Sequence, residues 1–189
     1  YRNQYGDLRR AYGNNLKSYY LHYVNNGKAE GRKGTGCNTL QGTLTVYNGV
    51  DYSAVYDYSY YISTQSDIAR AYGGDETAVL AHFVNYGMSE GRQGNAKFNV
   101  YSYRNQYSDL RQAYGNNLKL YYMHYVNHGK SEGRQGVGCS VLQNPTTVYN
   151  GVDYSAVYNY DYYTKAYGDI ARAYGGDETA VLAHFVNHG

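Results

Sequence analysis

The residues best equipped for chemistry recur at fixed places. His22, His82, His124 and His184 each open a His-(Tyr/Phe)-Val-Asn run. A metal centre needs three or four converging ligands, and the sequence does not supply them consistently. His124 and His128 are four residues apart, as are His184 and His188, but Asn26 and Tyr86 occupy the matching second positions elsewhere. We therefore expect no metal and no cofactor. The expected role of each imidazole is a half-buried hydrogen-bonding group, paired with a backbone carbonyl or a tyrosine hydroxyl.

Glu-Gly-Arg follows three residues after a glycine at Glu30–Arg32, Glu90–Arg92 and Glu132–Arg134. Placed just beyond a helix C-terminus, such an arginine can bond the last carbonyls and clamp the module. Alternatively, Arg32, Arg92 and Arg134 line up to hold a sugar carboxylate or an acidic group of a partner. Asp7, Asp67, Asp109 and Asp169 precede Leu or Ile and read as caps of a restarted or kinked helix. A pair of carboxylates for glycoside hydrolysis would have to come from different modules and would recur with them. No unrepeated cluster of His, Ser or acids is present, so no enzyme is expected.

Tyrosine supplies 29 residues against three Phe and no Trp. Periodicity assigns many of these rings to a core. Tyr47, Tyr52, Tyr56 and Tyr58, with Tyr149, Tyr154, Tyr158 and Tyr160, cluster instead on connectors. Exposed there, they would stack on sugar faces or anchor a protein partner; buried, they would seal the junctions. The net charge of +2 offers no field for nucleic acid. The longest apolar runs, such as Ala78–Ala81, are far shorter than the roughly 20 residues needed to span a bilayer, so no membrane insertion is expected.

These residues are positioned by a repeat. Residues 1–87 align without a gap onto 103–189, and 21 of the 87 positions differ. A weaker duplication at a shift of 60 divides each copy, giving four modules. The text begins and stops inside the pattern and reads as part of a longer one.

Each module reads as two antiparallel helices. Tyr1, Tyr5, Leu8 and Tyr12 form one stripe, and Gly13 is expected to end it as a left-handed cap. Asn14 or Asn15 caps the next helix, whose face is Leu16, Tyr19, Tyr20, Tyr23 and Val24, with Gly27 as its stop. Asp75 plays the same capping part in the second module, where Tyr56, Tyr58, Tyr60 and Tyr61 alternate like a strand, yet Asp57 fits equally as the cap of a helix through Tyr60 and Tyr61, which is the reading preferred. Such a pair of helices buries only one side of each, so neighbouring modules must stack. Asn48-Gly49 and Asn150-Gly151, each between β-formers, predict small hairpins in the long connectors. Cys37 and Cys139, one per long repeat, are separated by four helices packed about 8–10 Å apart. A disulfide needs Cα atoms within about 7 Å, so these two are not expected to pair with each other.

The expected fold is mainly α: a solenoid-like tandem array of helical hairpins with small β-hairpins in the long connectors. Its segments are modules at 1–34, 56–94, 101–136 and 158–189, hairpin connectors at 35–55 and 137–157, and a short direct connector at 95–100.

The frame Asp-hydrophobic, Ala-Tyr-Gly, His-(Tyr/Phe)-Val-Asn-x-Gly-x-x-Glu-Gly-Arg, with the connector Val46–Tyr52, resembles tandem tyrosine-rich repeats of secreted and surface-attached proteins of Gram-positive gut bacteria of the Lachnospiraceae type. Nearly the whole chain is covered. Cys37 and Cys139 depart from it by standing where a small polar residue is expected, and the last module lacks its Glu-Gly-Arg. The resemblance implies an extracellular, cell-surface, non-catalytic binding or stalk region. Its expected partners are neighbouring repeats of the chain together with cell-wall or other glycan. Alternatives are a host protein such as an immunoglobulin, or no ligand at all.

Overall fold

The computed structural model describes residues 1–174 and 176–189. The described chain is mainly helical, with two small antiparallel β-hairpins. Helices α1 (Gly6–Tyr12) and α2 (Leu16–His22) form the first module, and β1 (Val46–Tyr47) and β2 (Val50–Asp51) the first hairpin. Next come α3 (Tyr58–Thr64), α4 (Ser66–Tyr72) and α5 (Glu76–His82), then α6 (Val100–Gln106), α7 (Ser108–Tyr114) and α8 (Leu118–His124). The second hairpin is β3 (Val148–Tyr149) with β4 (Val152–Asp153), followed by α9 (Tyr160–Ala166), α10 (Gly168–Tyr174) and α11 (Glu178–His188).

The caps follow the sequence. Asn15, Asp57 and Asp75 accept hydrogen bonds from the amides of Ser18, Tyr60 and Ala78, satisfying donors that the first helical turn leaves free. Asn48 and Gly49 both take positive φ, 49° and 79°, as the tight turn between β1 and β2 requires, and Asn150 and Gly151 repeat it. The register pairs Val46 with Asp51 and Tyr47 with Val50.

Three details refine the helical-hairpin expectation, the first in line with the restarted or kinked helix read at the aspartates. The first helix of a module is broken in two: Gln65, Tyr107 and Tyr167 leave the helical basin, with φ near −115° to −120° and ψ of 82–98°, and Tyr5 does the same before α1. The stripe Tyr1, Tyr5, Leu8, Tyr12 therefore spans a break. Gly13 has a positive φ of 51°, but its ψ of −118° lies outside the left-handed helical basin. In the second module, positive φ falls one residue later, at Gly74.

Gly27, Gly87 and Gly129 do not stop their helices. Each closes a π-helical turn, Tyr23–Gly27, Phe83–Gly87 and Tyr125–Gly129, and the chain turns on past it. The reversal comes at Gly31, Gly91 and Gly133, the centres of Glu-Gly-Arg, with φ of 71–73°. Close approach explains the earlier glycine: a Cβ on Gly27 would collide with the Tyr1 hydroxyl, and one on Gly87 would stand 2.6 Å from the Tyr61 hydroxyl.

The chain divides into two compact units, one made of residues 1–100 and 118–137, the other of 101–117 and 138–189. The division falls inside the third module. In the first unit, Phe83 packs against Tyr56, Tyr61 and Tyr122 at ring-centre distances of 5.1, 5.2 and 5.8 Å. Val79, Leu80 and Met88 are fully buried beside this aromatic core. The second unit closes around Tyr158, Tyr163, Ile170, Val181 and Leu182. Burial pushes the hydroxyl pKa of Tyr56, Tyr61 and Tyr158 far above the ordinary tyrosine value, which keeps these rings neutral in the core.

Candidate functional site

The connector tyrosines separate into two groups. Tyr52, Tyr56, Tyr58 and Tyr158 are buried, at 5%, 2%, 2% and 4% exposure, and have no ring face to present. The expectation that they form a contact surface is corrected. Each hairpin leads straight into a module, so these rings fill the junction; the Tyr58 hydroxyl also accepts from the Gly74 amide. Tyr47, Tyr149, Tyr154 and Tyr160 are half-buried. Tyr47 stands on β1 with its hydroxyl accepting from the Asn85 amide nitrogen at 3.3 Å. Tyr149 and Asn187 occupy the matching positions one long repeat later.

The arginines are held by their own modules. Arg32 Nε donates to Glu30 at 2.5 Å, its Nη1 lies 2.9 Å from Asp7, and its guanidinium sits 4.8 Å from the Tyr5 ring centre. Arg92 repeats this with Glu90 and Asp67, adding a bond to Gln65, and Arg134 bonds Glu132. These guanidiniums fix the reversing turn; they bond carboxylates, whereas helix-end carbonyls were the expected acceptors. Asp7 and Asp67 serve as their acceptors from the second position of a restarted helix, and the cap positions ahead of them, Tyr5 and Gln65, make no side-chain cap bond.

The Arg92 hydrogen bond, helped by the Ile68 amide and the Arg92 charge, outweighs desolvation and holds the Asp67 carboxyl below its ordinary value. A carboxylate with a depressed folded pKa contributes stability above its unfolded pKa and loses it as pH falls. In Arg92→Ala, the Asp67 midpoint read by NMR should rise to about its ordinary value, and the acid-side fall in stability should flatten. Exchanging Arg32, Arg92 and Arg134 for Lys should lower the melting temperature, because an ammonium cannot fork between two carboxylates. An unmoved Asp67 midpoint would show that the clamp is ornamental.

Three histidines pair with tyrosines 21 residues earlier. The Tyr1, Tyr61 and Tyr163 hydroxyls lie 2.8, 3.3 and 2.9 Å from Nδ1 of His22, His82 and His184. The imidazoles thus brace one helix against the next. No group of three or more His, Cys, Asp or Glu residues among those described could hold a metal ion. Cys37 and Cys139 are free thiols, each 3.0 Å from a carbonyl two residues on. No helix among the described residues is long and apolar enough to cross a membrane.

Sequence reasoning missed the most deeply buried charges. Arg9 of α1 pairs through Nε with Glu76 at the start of α5, with side chains 1% and 3% exposed. Arg9 also donates to the carbonyls of Arg2, Asn3 and Gln41, while Glu76 accepts from the Leu44 amide at 2.9 Å. In the second unit, Arg111 and Glu178 meet at 2.7 Å, and Arg111 donates to the carbonyls of Arg104, Asn105, Gln143 and Asn144. Glu178 accepts there from the Thr146 amide. A signal existed: at the 60-residue shift, Arg9 aligns with Ala69 and Glu76 with Leu16, so each charge appears once per long repeat.

A second feature was hidden by periodicity. Leu16, Tyr20 and Val24, expected in the core, are 59%, 72% and 68% exposed. With Tyr1, Arg2, Tyr19 and Tyr23 nearby, Leu16 and Tyr20 line a cleft of about 440 Å³. Four tyrosines line it together with Leu16, Arg2, Gly34 and Thr35. No family model, curated protein or solved structure matches this chain.

Proposed function

We propose that this chain is a non-catalytic, extracellular repeat module of a bacterial surface protein that binds cell-wall or other glycan through sites presented once per long repeat. The observation that carries this reading is the half-buried Tyr47 on β1 beside the Asn85 amide. A ring face next to an amide suits a sugar, which offers C–H groups for stacking and hydroxyls for hydrogen bonding. Tyr149 and Asn187 supply the same pair of residue types in the second copy. The titratable groups support a non-catalytic role, since the arginines, paired acids and Tyr-bonded histidines are engaged in holding the fold and recur with it. Weak sites repeated along one chain gain by avidity.

The test is retention on insoluble cell wall with competition by soluble sugar. Tyr47→Ala should weaken retention about tenfold, and Tyr47→Ala with Tyr149→Ala should abolish it through lost avidity. Retention of immunoglobulin instead of wall would favour a host-protein adhesin. A second reading, a ligand-free stalk, is supported by the burial of four connector tyrosines and the self-contained arginine clamps. Absence of both wall and antibody binding would favour it.

A further inference from the structure

We propose that the aromatic cleft on α2 is a docking site for the connecting strap of another repeat of the same kind, a segment of the Gly94–Val100 type anchored by its phenylalanine. The chain carries this surface twice. Tyr20, Tyr23 and Gly34 of the first copy correspond to Tyr122, Tyr125 and Gly136 of the second. In the second copy, the strap covers it. Phe98 packs 5.1 Å from the Tyr122 ring and 4.7 Å from the Tyr125 ring, and the Asn99 amide donates to the Gly136 carbonyl at 2.9 Å. The Tyr122 hydroxyl donates to the Arg92 carbonyl at 2.9 Å. Gly136 makes room, since a Cβ there would stand 2.6 Å from the Lys97 carbonyl oxygen. Tyr122 is consequently 0% exposed, while the identical Tyr20 is 72% exposed over an open cleft.

The other side of the strap tells the same story. Asn95 shapes it by accepting from the amides of Lys97 and Phe98 and holds it to the preceding module by donating to the Ala54 carbonyl. Asp57 donates its amide to the Gly94 carbonyl, and Val55 beneath is 0% exposed. Its counterpart Val157, with no such strap over it, is 70% exposed. The strap is therefore the seal between successive repeats, and its phenylalanine packs on the counterparts of two tyrosines, Tyr20 and Tyr23, that line the open cleft. This inference stands apart from the glycan reading, which rests on the hairpins.

The test adds a synthetic peptide of residues 92–100 to the whole isotope-labelled chain and follows NMR shifts. Saturable shifts confined to residues 1–2 and 16–35 are expected, with a dissociation constant of about 10–100 μM. Phe98→Ala in the peptide, or Tyr20→Ala in the chain, should weaken binding about tenfold or more; Tyr20 is exposed, so its variant keeps the fold. No saturation by about 1 mM, binding indifferent to both substitutions, or self-association of the chain through Tyr20 that excludes the peptide would each overturn the proposal.

Discussion

Glu76→Ala is expected to lower the unfolding free energy of the first compact unit by about 3–5 kcal/mol, read as a shift of its urea midpoint, because it strands a guanidinium in the interior. Arg9 is 1% exposed at its side chain, and among the described residues Glu76 is the carboxylate that balances its charge at bonding distance. Glu178→Ala should do the same to the second unit through Arg111. The more telling variant is Arg9→Met with Glu76→Leu. A simple buried ion pair can often be replaced by apolar residues without loss. Here the replacement should recover little, because the carbonyls of Arg2, Asn3 and Gln41 and the amide of Leu44 lose their partners. Full recovery by the double variant would reduce the network to an ordinary charge pair.

Gly87→Ala gives the second large effect, and its sign opposes intrinsic preference. Alanine favours an exposed helix by about 1 kcal/mol over glycine. At Gly87 the new methyl would stand 2.6 Å from the hydroxyl of Tyr61, whose ring is fully buried and whose hydroxyl faces His82. The ring has nowhere to go, so a net loss of about 1–3 kcal/mol is expected. Tyr61→Phe removes the colliding oxygen at a cost of about 1 kcal/mol for its hydrogen bond. Combined, the two substitutions should be more stable than Gly87→Ala alone. Gly27→Ala should be milder, since its neighbour Tyr1 is only half-buried and can tilt. A double variant less stable than Gly87→Ala would rule out the collision.

Much of this was legible because it is local. Asp57, Asp75 and Asn15 cap helices from positions that only a short polar side chain can use, and Asn48-Gly49 takes the two positive φ values of its turn. These outcomes depend on a few neighbouring residues. The break at Gln65 or Tyr107 was legible only through Asp67 and Asp109, which marked a restarted or kinked helix; the apolar stripe continues through it, and periodicity registers only which side a residue faces. Gly27 and Gly87 misled for a related reason: a glycine near a helix end suggests a stop, whereas these two are set by a tyrosine 26 residues away in sequence.

The candidate site failed where burial is decided at a distance. Tyr20 and Tyr122 share their local sequence, yet one is exposed and the other covered, according to whether Phe83 and Phe98 lie against them. Tyr56 and Tyr58 lie on a connector in sequence and in the core in space. Arg9 and Glu76 are 67 residues apart, and only their absence from the sister modules hinted at a joint role.

The first module does not close its own core: α1 reaches Glu76 of the next module to satisfy Arg9, and α2 keeps Leu16 and Tyr20 open. The most direct measurement is thermal unfolding of residues 1–34 alone, followed by circular dichroism beside the whole chain. A weakly helical peptide that loses its signal gradually, without a cooperative transition, is expected. A monomeric peptide that melts cooperatively at the temperature of the whole chain would contradict this expectation.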